Sequence, residues 1–562
     1  MHQFAQARRS YRPRYPLMLD DLNALEAVEL ASLSNGLSEE ETRELAQTFS
    51  FTFGQATLRL QKKANKKSNN AQGSRRIAVV LSGGPAPGGH NVICGLYDSL
   101  LKASPEARLF AFRNGPAGII KDDLLELTPE QVNMYLNSGG FDMIGTGRTK
   151  IEGQAQFESA YNVLKSHEID ALVIIGGDDS NTNAAWLAEY FKQKNPERPI
   201  QVVGVPKTID GDLRNKYLET TFGFHTAAKL YAELTSNVAI DARSSRKYYH
   251  FIRLMGRHAS HITLETALQT QPNFAFISEE VEARQQTLND VVDQLADMIM
   301  LRSHHGKEFG VVLVPEGLIE SIPEMQVLIS ELNSIIAESK DGFEQKDFSA
   351  QDQYIKDKLG LAALKTYLAL PIEIQHQLLF DRDPHGNVQV SQIETEKLVI
   401  HLLKVRLKEE AKLGNYRGKF AYRAHFFGYE GRCAAPSNFD ADYAYALGKT
   451  AMALINVGCT GYMSVVSQLS LDPSQWHPLG VPLASMLNFE MRGNKRKLVI
   501  KKSVVDLRSE TFSKFSKLRK DWILDDAYIF AGPIQYFGDG EMTDAPPITV
   551  MLEADSGADF YR

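Results

Sequence analysis

The stretch RRIAVVLSGG, Arg75 to Gly84, is a short apolar run that ends in paired glycines, and ALVIIGG at 171–177 repeats it. Further apolar runs follow at ARLFAF (107–112), QVVGVP (201–206), YYHFIRLMG (248–256), NFAFIS (273–278) and FGVVLVPEG (309–317). Between several of them apolar residues recur at helical spacing, as in HNVICGLYDSLLKA, TAAKLYAELTSNVAIDA and TLNDVVDQLADMIMLR. Short apolar strands alternating with helices predict parallel sheets covered by helices on both faces.

A chain of 562 residues exceeds one simple core, so two or more domains are expected. We read residues 1–74 as a helical extension ending in a polar, basic linker (QKKANKKSNNAQGS), with LNALEAVELASLSNGLSEEETRELAQTF supplying its helices. Residues 75–245, with return segments near the C-terminus, read as a first α/β domain, and 246–317 plus 416–500 as a second. Residues 318–415 turn charged and helical and read as an insertion, leaving 501–562 as a C-terminal segment. In NFDADYAYALGKTAMALINVG, Tyr443, Ala446, Leu447, Thr450, Ala451 and Leu454 share a helix face, and Gly458 marks the stop. The fold class is α/β: two Rossmann-like three-layer α/β/α domains with mostly parallel sheets.

Composition narrows the partners. A net charge of -7 gives no basic footprint for nucleic acid. No apolar run is long enough to cross a membrane, and the N-terminal arginines precede no signal-like apolar stretch. Cys94, Cys433 and Cys459 make neither a disulfide framework nor a zinc spacing, which suits a reducing cytoplasm.

Three segments carry chemistry suited to phosphate. LSGGPAPGGHN (81–91) joins a strand to a helix through glycines, so backbone N–H groups and a helix N-terminus can approach phosphate oxygens. It lacks the Lys-Ser ending of a Walker loop and is not GxGxxG. VIIGGDDSNTNA (173–184) sets two aspartates after a strand, and VPKTIDGDLRN (205–215) sets a lysine, a threonine and two aspartates there. Strand carboxyl ends are where open α/β sheets place ligands.

With LMGR (254–257), VPEG (314–317) and GYEGR (428–432), these motifs, in this order, resemble the phosphofructokinase family, and more closely its long, pyrophosphate-dependent branch. The resemblance spans about residues 75–465, and the 318–415 insertion resembles that of the long branch. It implies reversible phosphoryl transfer from pyrophosphate to the 1-hydroxyl of fructose 6-phosphate, giving fructose 1,6-bisphosphate and phosphate, with Mg2+ as cofactor. A homodimer, or a homotetramer, is the implied assembly.

The same resemblance assigns roles. Asp178 matches the metal ligand. ATP-using members typically carry glycine where this chain has Asp179, whose carboxylate would fill the space of a nucleotide α-phosphate and repel it. Lys207 stands where those relatives usually have glycine, and would hold pyrophosphate and steady the transferring group. Asp210 matches the catalytic base, with Asp212 supporting it and Arg148 on the transferring phosphate. Gly84 marks the backbone approach and Thr208 accompanies Lys207.

For the sugar, Met255, Gly256, Arg257 and Glu316 match contacts to its ring and hydroxyls, and Tyr429 and Arg432 to the 6-phosphate end. Arg423 matches an arginine supplied by the neighbouring subunit. Two positions depart from the common pattern: Tyr429 replaces a frequent histidine, and Tyr248 falls where many relatives have a second cross-subunit arginine. The rival readings are an ATP-dependent enzyme, against which Asp179 and Lys207 argue, and a non-catalytic regulatory subunit, against which an intact Asp210 argues.

Overall fold

The computed structural model describes residues 3–33, 36–64, 75–339, 347–382, 387–492, 495–543 and 545–555. From residue 65 to 74 the linker read from sequence lies outside the described residues. The chain divides into two compact units: Met1–Ala227 with Glu430–Ser503 and Ile534–Arg562, and Ala228–Tyr429 with Val504–Pro533.

The first unit begins with β1 (Leu25–Leu30), β2 (Thr57–Lys62), β3 (Arg76–Leu81), β4 (Arg108–Phe112), β5 (Leu124–Glu126), β6 (Ala171–Gly176) and β7 (Gln201–Pro206). The second holds β8 (Tyr249–Leu254), β9 (Phe274–Ala275), β10 (Gly310–Pro315) and β11 (Tyr422–Phe427). The chain then returns to the first unit with β12 (Tyr462–Ser467), β13 (His477–Pro482), β14 (Leu487–Arg492) and β15 (Lys495–Ile500).

Nine strands of the first unit form one sheet in the order β1-β2-β13-β12-β7-β6-β3-β4-β5. Its centre, β12-β7-β6-β3-β4, is parallel, and the flanking pairs are antiparallel. From β3 the chain steps one way to β4 and the other way to β6 and β7, so the order reverses beside β3. A reversal of this kind opens a crevice beyond the carboxyl ends of the strands. The loops after β3, β6 and β7 meet there because those strands are neighbours. The apolar runs seen in the sequence are these central strands, and β6 is buried along its whole length.

The second unit carries a parallel sheet, β11-β8-β10-β9, with β8 and β10 fully buried. Its core includes Val312 and Val314 of β10 together with Leu328, Tyr367 and Leu403 from the inserted helices. The insertion therefore shares the second unit's core.

Two expectations need correction. LEAVEL, rich in helix formers and read as helical, is β1, paired in register with β2 from Leu25 opposite Lys62 to Leu30 opposite Thr57. Sheet pairing overrides local propensity there; the helix expected after it is present at Glu39–Thr48, capped by Ser38. Second, residues 430–500 group with the first unit, because β12 pairs in parallel with β7 and β13 pairs with β2.

Candidate active site

At the end of β3 the loop turns through Gly83, whose φ of +87° suits a residue without a Cβ. Its N–H donates to the Gly147 carbonyl at 2.9 Å, and Thr146 Oγ1 donates to the Gly83 carbonyl at 2.7 Å, so the loop rests on the segment that carries Arg148. Gly88 (φ +107°) then delivers the chain into the helix Gly89–Ala103. A side chain at Gly84 would overlap the Arg432 guanidinium, and a Cβ at Gly83 would lie 3.3 Å from Lys207 Nζ. Two cations therefore crowd the glycines after β3.

Beyond β6, Gly177 opens the helix Asp178–Lys194, with Asp178 and Asp179 in its first turn. Carboxylates are favoured there by the unpaired N–H groups and the helix dipole. Ser180 Oγ donates to Ser82 Oγ at 2.8 Å, tying this turn to the first loop. Asp179 is half-exposed and pairs with Lys150 at 3.1 Å. With solvent and Lys150 beside it, its repulsion is partly screened, and the space it fills matters more. It borders a cavity of about 600 Å³ lined by Phe157, Trp186, Phe489 and Arg496 among others.

After β7, Lys207 is buried, and its N–H donates to the Gly176 carbonyl at 2.9 Å. Burial pushes its pKa down to about 8; Asp210, Asp178 and Asp212 oppose that shift and Arg432 adds to it. Thr208 Oγ1 accepts from the Asp210 N–H at 3.0 Å and donates to Asp212 Oδ1 at 3.1 Å, so one hydroxyl fixes both aspartates of TIDGD. Gly84, Asp178, Asp179, Lys207, Thr208, Asp210 and Asp212 thus gather at the carboxyl ends of three adjacent strands. Arg148 is exposed on the neighbouring segment.

Arg432, expected at the sugar phosphate, lies against Gly84 in this group. A residue that sequence reasoning missed also joins it. Lys502 Nζ lies 3.6 Å from Asp178 Oδ2 and 3.5 Å from Asp212 Oδ2. Its only sequence signal is a lysine pair after an apolar run, and nothing local says that it returns to residues some 300 positions earlier. Among the described residues no cluster of three or more His, Cys, Asp or Glu side chains forms a closed metal cage. Asp178 and Asp212, facing one ammonium, instead fit a hard cation that takes its other ligands from water and phosphate.

In the second unit, Met255, Gly256 and Arg257 follow β8, and Glu316 follows β10, the neighbouring strand. Glu316 is buried and accepts from the Gly256 N–H at 3.0 Å. Gly256 has a φ of +131°, and a side chain at Gly317 would overlap the Arg257 carbonyl, so the two loops interlock. Arg423 on the edge strand β11 is exposed, with its guanidinium 4.0 Å over the Tyr248 ring. Tyr429, just past β11, is 62% exposed.

A family model described as phosphofructokinase matches residues 76–367. The pyrophosphate--fructose 6-phosphate 1-phosphotransferase of Porphyromonas gingivalis is 48% identical over 547 residues, 97% of this chain and 98% of that one. The protein of the same name from Treponema pallidum is 48% identical over 556 residues, 98% of this chain and 96% of that one. Among solved structures, a pyrophosphate-dependent phosphofructokinase from Marinobacter aquaeolei aligns with a TM-score of 0.50 at 17% identity, covering 83% of this chain and 94% of that one. That likeness concerns the fold alone.

Proposed function

The chain belongs to the phosphofructokinase family, and on that premise we propose how its residues carry out pyrophosphate:fructose 6-phosphate 1-phosphotransfer. It is an enzyme that moves a phosphoryl group reversibly between pyrophosphate and the 1-hydroxyl of fructose 6-phosphate, with fructose 1,6-bisphosphate and phosphate as products. The observation that carries the mechanism is Lys207: a buried ammonium set against the glycine loop after β3, where a compact, highly charged donor has to lie.

Phosphoryl transfer asks the protein for position and charge neutralisation rather than covalent chemistry. Lys207 and Arg432 neutralise the donor's oxygens while backbone N–H groups of the 83–84 loop approach them. Asp179 occupies space next to the donor and so excludes a longer nucleotide. Arg148 steadies the transferring group. Asp178 and Asp212 would hold Mg2+, which would supply positive charge to offset that of the phosphates. Asp210, fixed by Thr208, takes the proton from the sugar's 1-hydroxyl. Met255, Gly256, Arg257, Glu316 and Tyr429 hold fructose 6-phosphate, with Tyr248 beside Arg423. Arg423, exposed on the edge strand β11 and resting over the Tyr248 ring, serves a neighbouring subunit's site in a homodimer. Three free cysteines support a cytoplasmic setting, and no described helix is long and apolar enough to cross a membrane.

The purified chain, assayed with fructose 6-phosphate and Mg2+, is expected to turn over with pyrophosphate and weakly at most with ATP. Robust turnover with ATP and none with pyrophosphate overturns the reading.

A further inference from the structure

Lys502 is held on both sides. The backbone N–H of Ile500 donates to Thr182 Oγ1 at 3.0 Å, on the helix that begins with Asp178, and the Ser503 N–H donates to the Asp212 carbonyl at 2.7 Å. Between these anchors Lys502, only one-fifth exposed, sends its ammonium between Asp178 and Asp212. Both contacts, at 3.6 and 3.5 Å, are in ion-pair range but too long for good hydrogen bonds. The ammonium neutralises two carboxylates without being locked to either.

We propose that Lys502 is a positioning residue that acts as an internal counter-ion, holding Asp178 and Asp212 in the absence of metal and competing with Mg2+ for them. Two facing carboxylates after adjacent strands repel one another, and a cation between them offsets that repulsion and keeps them close. When a divalent cation shares the carboxylates, like-charge repulsion turns the ammonium away, leaving it for the phosphate oxygens that arrive with the donor. The lysine thereby weakens binding of metal alone and favours the metal that comes with pyrophosphate. This inference rests on the reading of Asp178 and Asp212 as the metal-holding pair.

The test uses the full chain without donor and Mn2+ as a paramagnetic probe of metal binding, followed by water-proton relaxation. Lys502→Met is expected to tighten Mn2+ roughly tenfold, the worth of about one decade for removing a cation that two carboxylates share. Lys502→Arg, which keeps the charge, and Lys501→Met, which removes an exposed neighbouring charge, should stay near wild type. Lys502→Gln replaces Lys502→Met if the latter does not fold by circular dichroism. An unchanged or weaker Mn2+ affinity in the charge-removing variant, with Asp178→Asn abolishing binding, overturns the counter-ion role and leaves the metal site standing. If Asp178→Asn leaves Mn2+ affinity intact, the metal assignment falls and the counter-ion role with it.

Discussion

Lys207 is buried with a pKa near 8, below the ordinary lysine value. Burial is the main cause, so between pH 8 and the unfolded value the unfolded chain binds this proton more strongly. The sign follows: the charged lysine costs stability in full below pH 8, and that cost fades as pH rises from the folded value towards the unfolded one. For activity the direction is opposite, because only the ammonium can hold pyrophosphate. The kcat/KM for pyrophosphate, which reports the free enzyme, should therefore fall as pH rises through about 8. Lys207→Arg should move that limb upward, and since donor ionisation is common to both proteins, identical profiles would refute the assignment. Asp210 carries a different expectation. A positioned base contributes about 10²–10⁴-fold, so Asp210→Ala should lose kcat by that order while fructose 6-phosphate still binds by calorimetry. For donor choice, replacing Asp179 and Lys207 together by glycine should lower pyrophosphate use and admit ATP weakly, because Asp179 borders a cavity large enough for a small organic ligand. Steady-state assays with both donors check this; a double variant unchanged with pyrophosphate counts against it.

The inserted helices make their own case. Arg253 on β8 and Glu396 on the helix Thr395–Lys412 are both buried, with Arg253 Nε 2.8 Å from Glu396 Oε2. Arg253 also donates to the Ser391 and Ile393 carbonyls at 3.1 and 3.0 Å, and its guanidinium lies 4.1 Å over the Phe426 ring. Removing one partner strands a buried charge, a loss of about 3–5 kcal/mol. Arg253→Met should therefore shift the urea midpoint clearly, read by circular dichroism, and a loss under about 1 kcal/mol would show the pair to be dispensable. The alternation of apolar runs with helices made the central strands legible, because a strand buried on both faces has no polar residues to blur it. β1 was not legible: Leu, Glu and Ala favour helix, and only the distant β2 makes LEAVEL a strand. The loops after β3, β6 and β7 could be read as phosphate-directed because their glycines and aspartates directly follow apolar strands. Lys502 could not, because its partners are fixed by tertiary return rather than by spacing.

Arg423 sets the expectation for the assembly. If it completes a partner's sugar site, Asp210→Asn and Arg423→Ala homodimers are each nearly inactive. A mixed dimer then has one site with both defects and one with neither. Random re-pairing gives mixed dimers about half the time, so activity should return to about a quarter of wild type. Refolding the two variants together and assaying the mixture checks this, and a mixture that only averages its parents, despite proven exchange, places Arg423 elsewhere. The membership of residues 430–503 in the first unit was not visible locally, since their strands resemble those of either domain and only the pairing of β12 with β7 decides.

That late return matters while the chain is being made. A ribosome that has released residues up to 227 has delivered β1 to β7, yet β7 and β2 still lack the neighbours β12 and β13 that separate them in the finished sheet. Two strand edges, one of them on the apolar β7, wait through the synthesis of more than 200 further residues, and such edges are templates for pairing with other nascent chains. Arg432 and Lys502 arrive with the same return, so the donor loops, though encoded early, meet these two cations only after residues 228–429 have been made.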